Sequence, residues 1–489
     1  MKLNKLLEKI DCICVEGDVE TEIASIEYDS RKVKENALFV CLKGFYSDGH
    51  DYAQMAVEKG AAALLVEDLP EFVTDAVVIQ VQDTRKALAY LSAAWFDYPA
   101  EKLTVIGLTG TKGKTTTSFM IKKILEQAGH KVGLIGTTGA YIDQKKVEIK
   151  NTTPESFELH SLFAQMADAG CDFVVMEASS QGFKLQRTAG MIFDYGAFLN
   201  ISPDHISPGE HESFEEYLSC KKMMFDQTRQ TVVNIDAEHW QEVTEAAVNP
   251  VTVSTRQEAA LKADAIQNIW EKGLLGTTFT VTGRYEGEVT LGMPGVFNVE
   301  NALIAMAIAG LIGISFGTCV EALRSVTVKG RVQVLPVPAE MGTFMIDYAH
   351  NALSMESILH MLSEYHPKRL ICLFGGGGNR PKQRRYDMGR IAGKYADLTI
   401  ITTDNPRFEA PQVINEHIIE GLNEYEGEYK IIMDREEAIR YLLGHCGPKD
   451  LVALIGKGHE EYQDIRGVKY YFSEEKVVLG YLAEKGLLK

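Results

Sequence analysis

Residues Leu103-Thr104-Val105-Ile106-Gly107-Leu108 form an almost unbroken apolar run that empties into Thr109-Gly110-Thr111-Lys112-Gly113-Lys114-Thr115-Thr116-Thr117. Such a run belongs to a strand buried on both faces, as in a parallel sheet covered by helices. The glycines after it let backbone N–H groups close on a polyphosphate at a helix N-terminus, Lys114 can reach the terminal phosphates, and Thr115 can hold Mg²⁺. The segment therefore predicts strand, phosphate-binding loop and a helix from about Lys114 to Ala128, stopped by Gly129. Its candidate contacts are Gly110, Thr111, Lys112, Gly113, Lys114, Thr115 and Thr116. The upstream glycine is Gly107, one residue away from the spacing G-x-x-x-x-G-K-[ST], and a ligand-free Gly-rich turn is the plain alternative.

The same alternation extends along the chain. Strands are expected at Ala37 to Leu42 and Ala62 to Val66, then at Lys131 to Ile135, Phe173 to Met176, Tyr195 to Leu199 and Thr231 to Ile235. After Gly330-Arg331 the pattern restarts with Thr343 to Ile346, Leu370 to Phe374, Leu398 to Thr402 and Leu451 to Ile455. Strands alternating with helical patterns imply βαβ units and mostly parallel sheets. The expectation is an α/β chain of three domains, 1–99, 100–331 and 332–489.

Lys and Arg number 50 against 68 Asp and Glu, a net charge of −18, which opposes general nucleic-acid binding because such proteins need a basic surface. The 8 cysteines include no C-x-x-C pair and are too dilute for a disulfide framework, as expected of reduced thiols in the cytoplasm. Met1 to Ile10 (MKLNKLLEKI) lacks the apolar core of a secretory signal and reads as a short amphipathic helix. No run reaches the roughly 18 apolar residues of a membrane span, so no membrane insertion is expected.

Polar residues follow several strands. Glu177, closing Val174-Val175-Met176-Glu177, is placed to partner Mg²⁺ from the end of a neighbouring strand, and His205 in Pro203-Asp204-His205 is a second candidate ligand. Lys221, in a helix beginning near Glu215, reads on its own as a solvated lysine. In the last domain Asp347-Tyr348-Ala349-His350, Gly375-Gly376-Gly377-Gly378-Asn379-Arg380, Asp404-Asn405-Pro406-Arg407 and Gly456-Lys457-Gly458-His459-Glu460 all follow strands. Together they predict convergence on one sheet edge, with both charge signs available to hold a zwitterion or position phosphates.

These segments, in this order, resemble the Mur ligase family of ATP-dependent amide-forming enzymes, in particular the members that add the third amino acid to the peptidoglycan precursor. The resemblance covers nearly the whole chain, including Asp29-Ser30-Arg31, Asn151-Thr152-Thr153-Pro154, Met176 to Ser180, Phe297-Asn298-Val299-Glu300-Asn301 and Gly330-Arg331. It implies a UDP-sugar-binding N-terminal domain, a central ATPase domain and a C-terminal Rossmann-like domain. It also implies phosphorylation of a substrate carboxylate by ATP, followed by attack of an amine on the acyl phosphate. Under the resemblance Thr115, Glu177, His205 and Lys221 stand on the metal side, Lys221 as a carbamate. Asn298, Asn301, Arg331, Asp347 and His350 are implied ATP contacts. Ser30, Thr152, Thr153, Ser179 and Arg187 would hold the UDP-muramoyl substrate, and Arg380, Asp404, Asn405, Arg407, Gly456 and Glu460 the amino acid. The Asp404 to Arg407 motif resembles the form that takes meso-diaminopimelate, with L-lysine as the alternative. Small-molecule partners, ATP and Mg²⁺ as cofactors, and a monomer complete the expectation.

The chain departs from the family pattern at Lys112, Gln181, Leu185, Pro203, Ala352 and Asn379, and the His205 to Lys221 stretch is longer than usual. Alternatives left open are a divergent member with another acceptor or amino acid, a phosphotransferase, and a nucleotide-binding regulator without catalysis.

Overall fold

The computed structural model describes residues 1–45, 47–203, 206–207, 209–271 and 274–488. The run that leads into the phosphate loop is the strand Thr104–Thr109, buried at every position after its first. Parallel strands flank it on both sides, Phe173–Glu177 and Phe193–Phe198. The sheet continues through Val132–Gly136 on one side, and through Thr228–Asn234 and Val251–Ser254 on the other. The chain thus leaves Thr104–Thr109 toward one edge and later crosses to the opposite edge. Such a switch opens a crevice at the C-terminal ends of the strands. An antiparallel hairpin, Gly139–Ile142 with Lys145–Val147, finishes the first edge.

Gly107 lies in mid-strand, where a Cβ would sit 2.5 Å from the Phe193 ring. It is a packing glycine, which explains the departure from the expected loop spacing: the loop begins at Gly110.

The first hundred residues form a smaller sheet in the order Cys12–Glu16, Val77–Val81, Ala61–Val66, Ala37–Val40, Ser25–Glu27, with only Cys12–Glu16 antiparallel. Side chains alternate strictly between its faces. Leu38, Val40, Ala63 and Leu65 meet Leu88 and Leu91 of the helix Thr84–Trp95. Phe39 and Leu64 meet Ala53 and Ala56 on the other side. The amphipathic start is shorter than its pattern, Leu3–Leu7, because the chain N-terminus binds the Ile23 carbonyl and Lys2 bridges Glu22.

The described residues divide into two compact units, Met1–Lys262 with Leu303–Ser315, and Ala263–Ala302 with Phe316–Lys489. The strands named above lie in the first. The second carries a six-stranded sheet in the order Gln333–Val334, Thr343–Asp347, Asp450–Ile455, Arg369–Phe374, Leu398–Ile401, Tyr429–Ile431, parallel except at Gln333–Val334. Phe344, Ile346, Ile371, Val452 and Leu454 pack one of its faces against Ile439, Leu442, Val478 and Leu482 of the helices Arg435–His445 and Glu474–Glu484. Within that layer Arg435 and Glu474 form a fully buried pair at 2.7 Å. The second unit also contains antiparallel strands, Leu274–Gly283 with Gly287–Leu291, which the sequence reading passed over.

Candidate active site

In the first unit the phosphate loop turns from Thr104–Thr109 into the helix Lys114–Gln127. Gly113 is the N-cap at φ +86°, a left-handed conformation that favours glycine, and it brings no side chain of its own to the helix start. A helix N-terminus of this kind favours an anion. Two ammonium groups converge on the Gly110 carbonyl, Lys114 Nζ at 2.6 Å and Lys221 Nζ at 2.8 Å. Lys221 is buried and lies 4.5 Å from the Tyr217 ring centroid, so the solvated-lysine reading is overturned. The helix Phe214–Lys222 delivers both residues, and Tyr217 Oη meets Thr111 Oγ1 at 3.0 Å.

Lys112, one of the departures, presents an exposed side chain while its backbone is clamped by Asn200. The Lys112 amide donates to Asn200 Oδ1 (2.9 Å), and Asn200 Nδ2 donates back to the Lys112 carbonyl (3.1 Å). The loop is shaped here through main-chain atoms. Thr115 and Thr116 are buried at the helix start.

Glu177 ends its strand almost fully buried, with Oε1 accepting from the Thr137 amide and Oε2 from Thr137 Oγ1, both at 3.0 Å. A Cβ at Gly136 would overlap Glu177 Oε1, so the glycine makes room for the carboxylate. His205 lies outside the described residues.

The candidate acceptor-side residues join this network. Thr137 Oγ1 meets Thr152 Oγ1 at 3.2 Å. Thr153 Oγ1 contacts the Glu177 carbonyl (2.9 Å) and Ser179 Oγ (3.0 Å), and accepts from the Ser179 amide. Arg187 donates to the Thr153 carbonyl and to Glu155 Oε1, both at 3.0 Å. Among the described residues Ser30 is not tied into this chain of bonds; its carbonyl accepts from Lys59 Nζ. Its neighbours Tyr28 and Asp29 line a pocket of about 590 Å³ together with Asn151, Glu155 and Glu158. The Arg31 guanidinium holds the Asp29 carboxyl down to about 2.

In the second unit the four strand-end clusters meet as expected. Arg380, Asp404, Asn405, Arg407, Gly456 and Glu460 line one pocket of about 80 Å³, with Tyr348 and His350. Asn405 is its organiser: Nδ2 donates to Glu460 Oε2 (2.9 Å), while Oδ1 accepts from Lys457 Nζ (2.6 Å) and the Asp464 amide (3.0 Å). Lys457 is fully buried and also pairs with Asp404 Oδ1 at 2.9 Å. Arg407 donates to the Gly378 carbonyl at 2.7 Å and lies 3.8 Å from Asp464. Asp347 is buried, which pushes its carboxyl up; Arg331 and the Val332 and Ala349 amides oppose that shift. The Arg331 guanidinium stacks on the Tyr348 ring at 4.8 Å. His350 Nδ1 bonds the Tyr348 carbonyl.

Asn298 and Asn301 stand at the start of the helix Val296–Ile312; Asn298 Nδ2 donates to the Pro294 carbonyl, and Asn301 Nδ2 to Asn298 Oδ1. Sequence reading missed Thr137, Asn200 and Tyr217 as site residues, and placed Lys457 in a cluster without giving it a role. Asn200 sits just after a strand, where position alone could have flagged it, whereas nothing local marks Thr137.

Family models match in chain order: "Mur ligase family, catalytic domain" over residues 22–96, "Mur ligase middle domain" over 108–309, and "Mur ligase, glutamate ligase domain" over 330–458. A Clostridium acetobutylicum protein named UDP-N-acetylmuramoyl-L-alanyl-D-glutamate--2,6-diaminopimelate ligase 1 is 38% identical over 99% of this chain and 100% of its own. A ligase of the same type from Caldanaerobacter subterraneus subsp. tengcongensis is 40% identical over 96% of this chain and 97% of its own. A solved UDP-N-acetylmuramoyl-L-alanyl-D-glutamate--2,6-diaminopimelate ligase superposes with TM-score 0.72 at 25% identity, covering 99% of both chains. MurF from Acinetobacter baumannii, at 21% identity, TM-score 0.61 and coverage of 99% and 98%, shares the fold. No helix among the described residues is long and apolar enough to cross a membrane. With an α/β fold of mostly parallel sheets, three family domains in chain order and full-length likeness to ligases, the chain belongs to the Mur ligase family and is an ATP-dependent ligase.

Proposed function

We propose that this enzyme joins meso-diaminopimelate to UDP-N-acetylmuramoyl-L-alanyl-D-glutamate, forming ADP and phosphate, in the cytoplasm and as a monomer, for peptidoglycan synthesis. Residues 1–99 hold the UDP-sugar, 100–331 the nucleotide and 332–489 the incoming amino acid. The observation that carries the choice of amino acid is the pocket where Arg380 and Arg407 face Asp404, Asn405 and Glu460. Diaminopimelate has two zwitterionic ends, and a guanidinium that pairs with its second carboxylate penalises the bare ammonium end of lysine.

In this reading Lys114 and the first amides of Lys114–Gln127 hold the phosphates, and Lys114 stabilises charge on the transferring phosphoryl group. The Thr115 hydroxyl and the Glu177 carboxylate are buried hard oxygen donors, a set that fits Mg²⁺. Mg²⁺ supplies charge neutralisation of the phosphates when bound. His205 completes the metal side by its sequence position. Lys221, held at the Gly110 carbonyl, serves as a carbamate whose oxygens replace an ammonium with an anion. Thr152, Thr153, Ser179 and Arg187 orient the muramoyl dipeptide, with Ser30 on the nucleotide-sugar side. Asn298, Asn301, Arg331, Asp347 and His350 orient ATP.

The test incubates the protein with Mg-ATP, the UDP-muramoyl dipeptide and either diaminopimelate or lysine, following phosphate release and product mass. A diaminopimelate product alone is expected. A lysine product would keep the ligase and discard the pocket assignment, and no product with either would return weight to the divergent member. For the carbamate, Lys221→Ala is expected to lose activity that short-chain carboxylic acids restore in part; an unaffected variant would remove Lys221 from the site.

A further inference from the structure

The stretch that is longer than the family pattern carries a feature the ligase reading does not use. His211, Glu216 and Cys220 each offer a ligand atom, and these atoms all lie within 4.8 Å of one another. Glu216 and Cys220 are four residues apart on the helix Phe214–Lys222, so they share a face. His211 precedes the helix and is 1% exposed, with Nδ1 3.7 Å from Glu216 Oε2. Its other nitrogen, Nε2, meets Ser180 Oγ at 2.9 Å. A serine on the far nitrogen fixes the ring and leaves Nδ1 directed at the carboxylate, the outer-sphere arrangement that metal-bound histidines use.

We propose that His211, Glu216 and Cys220 form a zinc site with a water as fourth ligand. Imidazole, thiolate and carboxylate are the zinc donor types, whereas Mg²⁺ avoids sulfur. Zinc–ligand bonds of ~2.0–2.3 Å put tetrahedral donors roughly 3.3–3.8 Å apart. The His211–Glu216 edge already has that length, and the Cys220 sulfur lies within 4.8 Å of both ligand atoms. One thiolate and one carboxylate balance the divalent charge. Glu216 is also held from outside the triad, Oε1 by Lys184 Nζ and Oε2 by the Glu212 amide, both at 2.7 Å. Its side chain is 31% exposed, so the site opens to water on that side.

The metal would pin the segment that carries Tyr217 and Lys221 to the helix Ser180–Lys184, and those two residues touch the phosphate loop. An extra pair of residues in this segment lengthens a loop that must place Lys221, and a metal clip offsets the added freedom.

The experiment uses the full-length protein stripped with a chelator and titrated with Co²⁺, then Zn²⁺. One equivalent of Co²⁺ is expected to give a thiolate-to-cobalt charge-transfer band that Zn²⁺ abolishes and excess Mg²⁺ does not. Cys220→Ser should lose the band. Glu216→Gln, on a partly exposed position, should keep the fold and the band but weaken Zn²⁺ binding by about 10-fold or more. No band, a band that survives Cys220→Ser, or unchanged Zn²⁺ affinity in Glu216→Gln would each overturn the site. These outcomes are independent of whether the ligase takes diaminopimelate.

Discussion

Arg407 shows how much one side chain can decide. Its backbone is fixed by bonds to the Asp464 carbonyl and from the Arg466 amide, and its guanidinium by Gly378. A positioned charge-assisted contact is worth roughly 1.5–3 kcal/mol. Arg407→Ala should therefore lower kcat/KM for diaminopimelate by on the order of 10–100-fold, narrowing the preference over lysine; an unchanged preference would remove Arg407 from the selection of the amino acid. A second residue matters for stability instead. His160 is fully buried, and neither ring nitrogen has a hydrogen-bond partner among the described residues. Burial pulls its pKa from 6.5 down to about 4. The unfolded chain then binds a proton that the native state refuses between those values. This stability is complete above pH 6.5 and is lost as pH falls toward 4, by about 2 kcal/mol at pH 5. Denaturation midpoints of His160→Leu should accordingly fall less between pH 8 and pH 5 than the parent's, and parallel slopes would count against a buried neutral imidazole.

Elements carried most of what the sequence disclosed. Most strands of the parallel sheets are legible because burial on both faces makes them apolar, as in Ala37–Val40 and, beyond its opening Asp, Asp450–Ile455, and polar clusters mark several of their ends. Ser25–Glu27, Val77–Val81, Val251–Ser254 and Tyr429–Ile431 went unread, the first for its shortness and the last because its residues are exposed. The strands Leu261–Glu271 and Leu274–Gly283 escaped notice, since half-exposed strands mix Lys, Asp, Gln and Thr with the apolar residues. The exposed hairpin Tyr462–Ile465 with Val468–Tyr471 has no burial pattern to read. Within the site, the loop, the carboxylate and the four clusters were legible, but the partners that aim them were not. Lys457 stands inside one of those clusters, but only three-dimensional packing shows it buried against Asn405 and Asp404. Gly136, likewise, is silent in sequence and yet sets where Glu177 can stand. Gly136→Ala forces a methyl into the Glu177 carboxylate, at a cost of about 1–3 kcal/mol if the pair shifts apart. The expected outcome is a folded protein with a raised Mg²⁺ requirement and at least ~10-fold lower ligase activity; an unchanged Mg²⁺ dependence would detach Glu177 from the metal side.

For the whole molecule, the chain passes between its compact units at residues 262–263, 302–303 and 315–316, so neither unit is one continuous stretch. Strand and helix alternate again after Gly330-Arg331, and Ala263–Ala302 packs with residues C-terminal to that turn. Inside the second unit Trp270 Nε1 donates to Thr343 Oγ1 at 3.0 Å, and Tyr365 Oη to the Gly276 carbonyl at 2.7 Å. A Cβ at Gly295 would lie 2.9 Å from Met361 Cγ, a measure of how closely that side chain covers the strand exit. Ending the chain at Arg331 removes all three partners and uncovers the polar and apolar groups they shield. Each buried group left without its partner costs about 1–3 kcal/mol. A fragment of residues 1–331 should therefore bind a hydrophobic dye that the intact protein ignores, and its least stable thermal transition should fall below any in the intact chain. A fragment that ignores the dye and melts like the parent would mean that Ala263–Ala302 holds its structure without the last domain. The contacts of Trp270 and Tyr365 would then count as incidental.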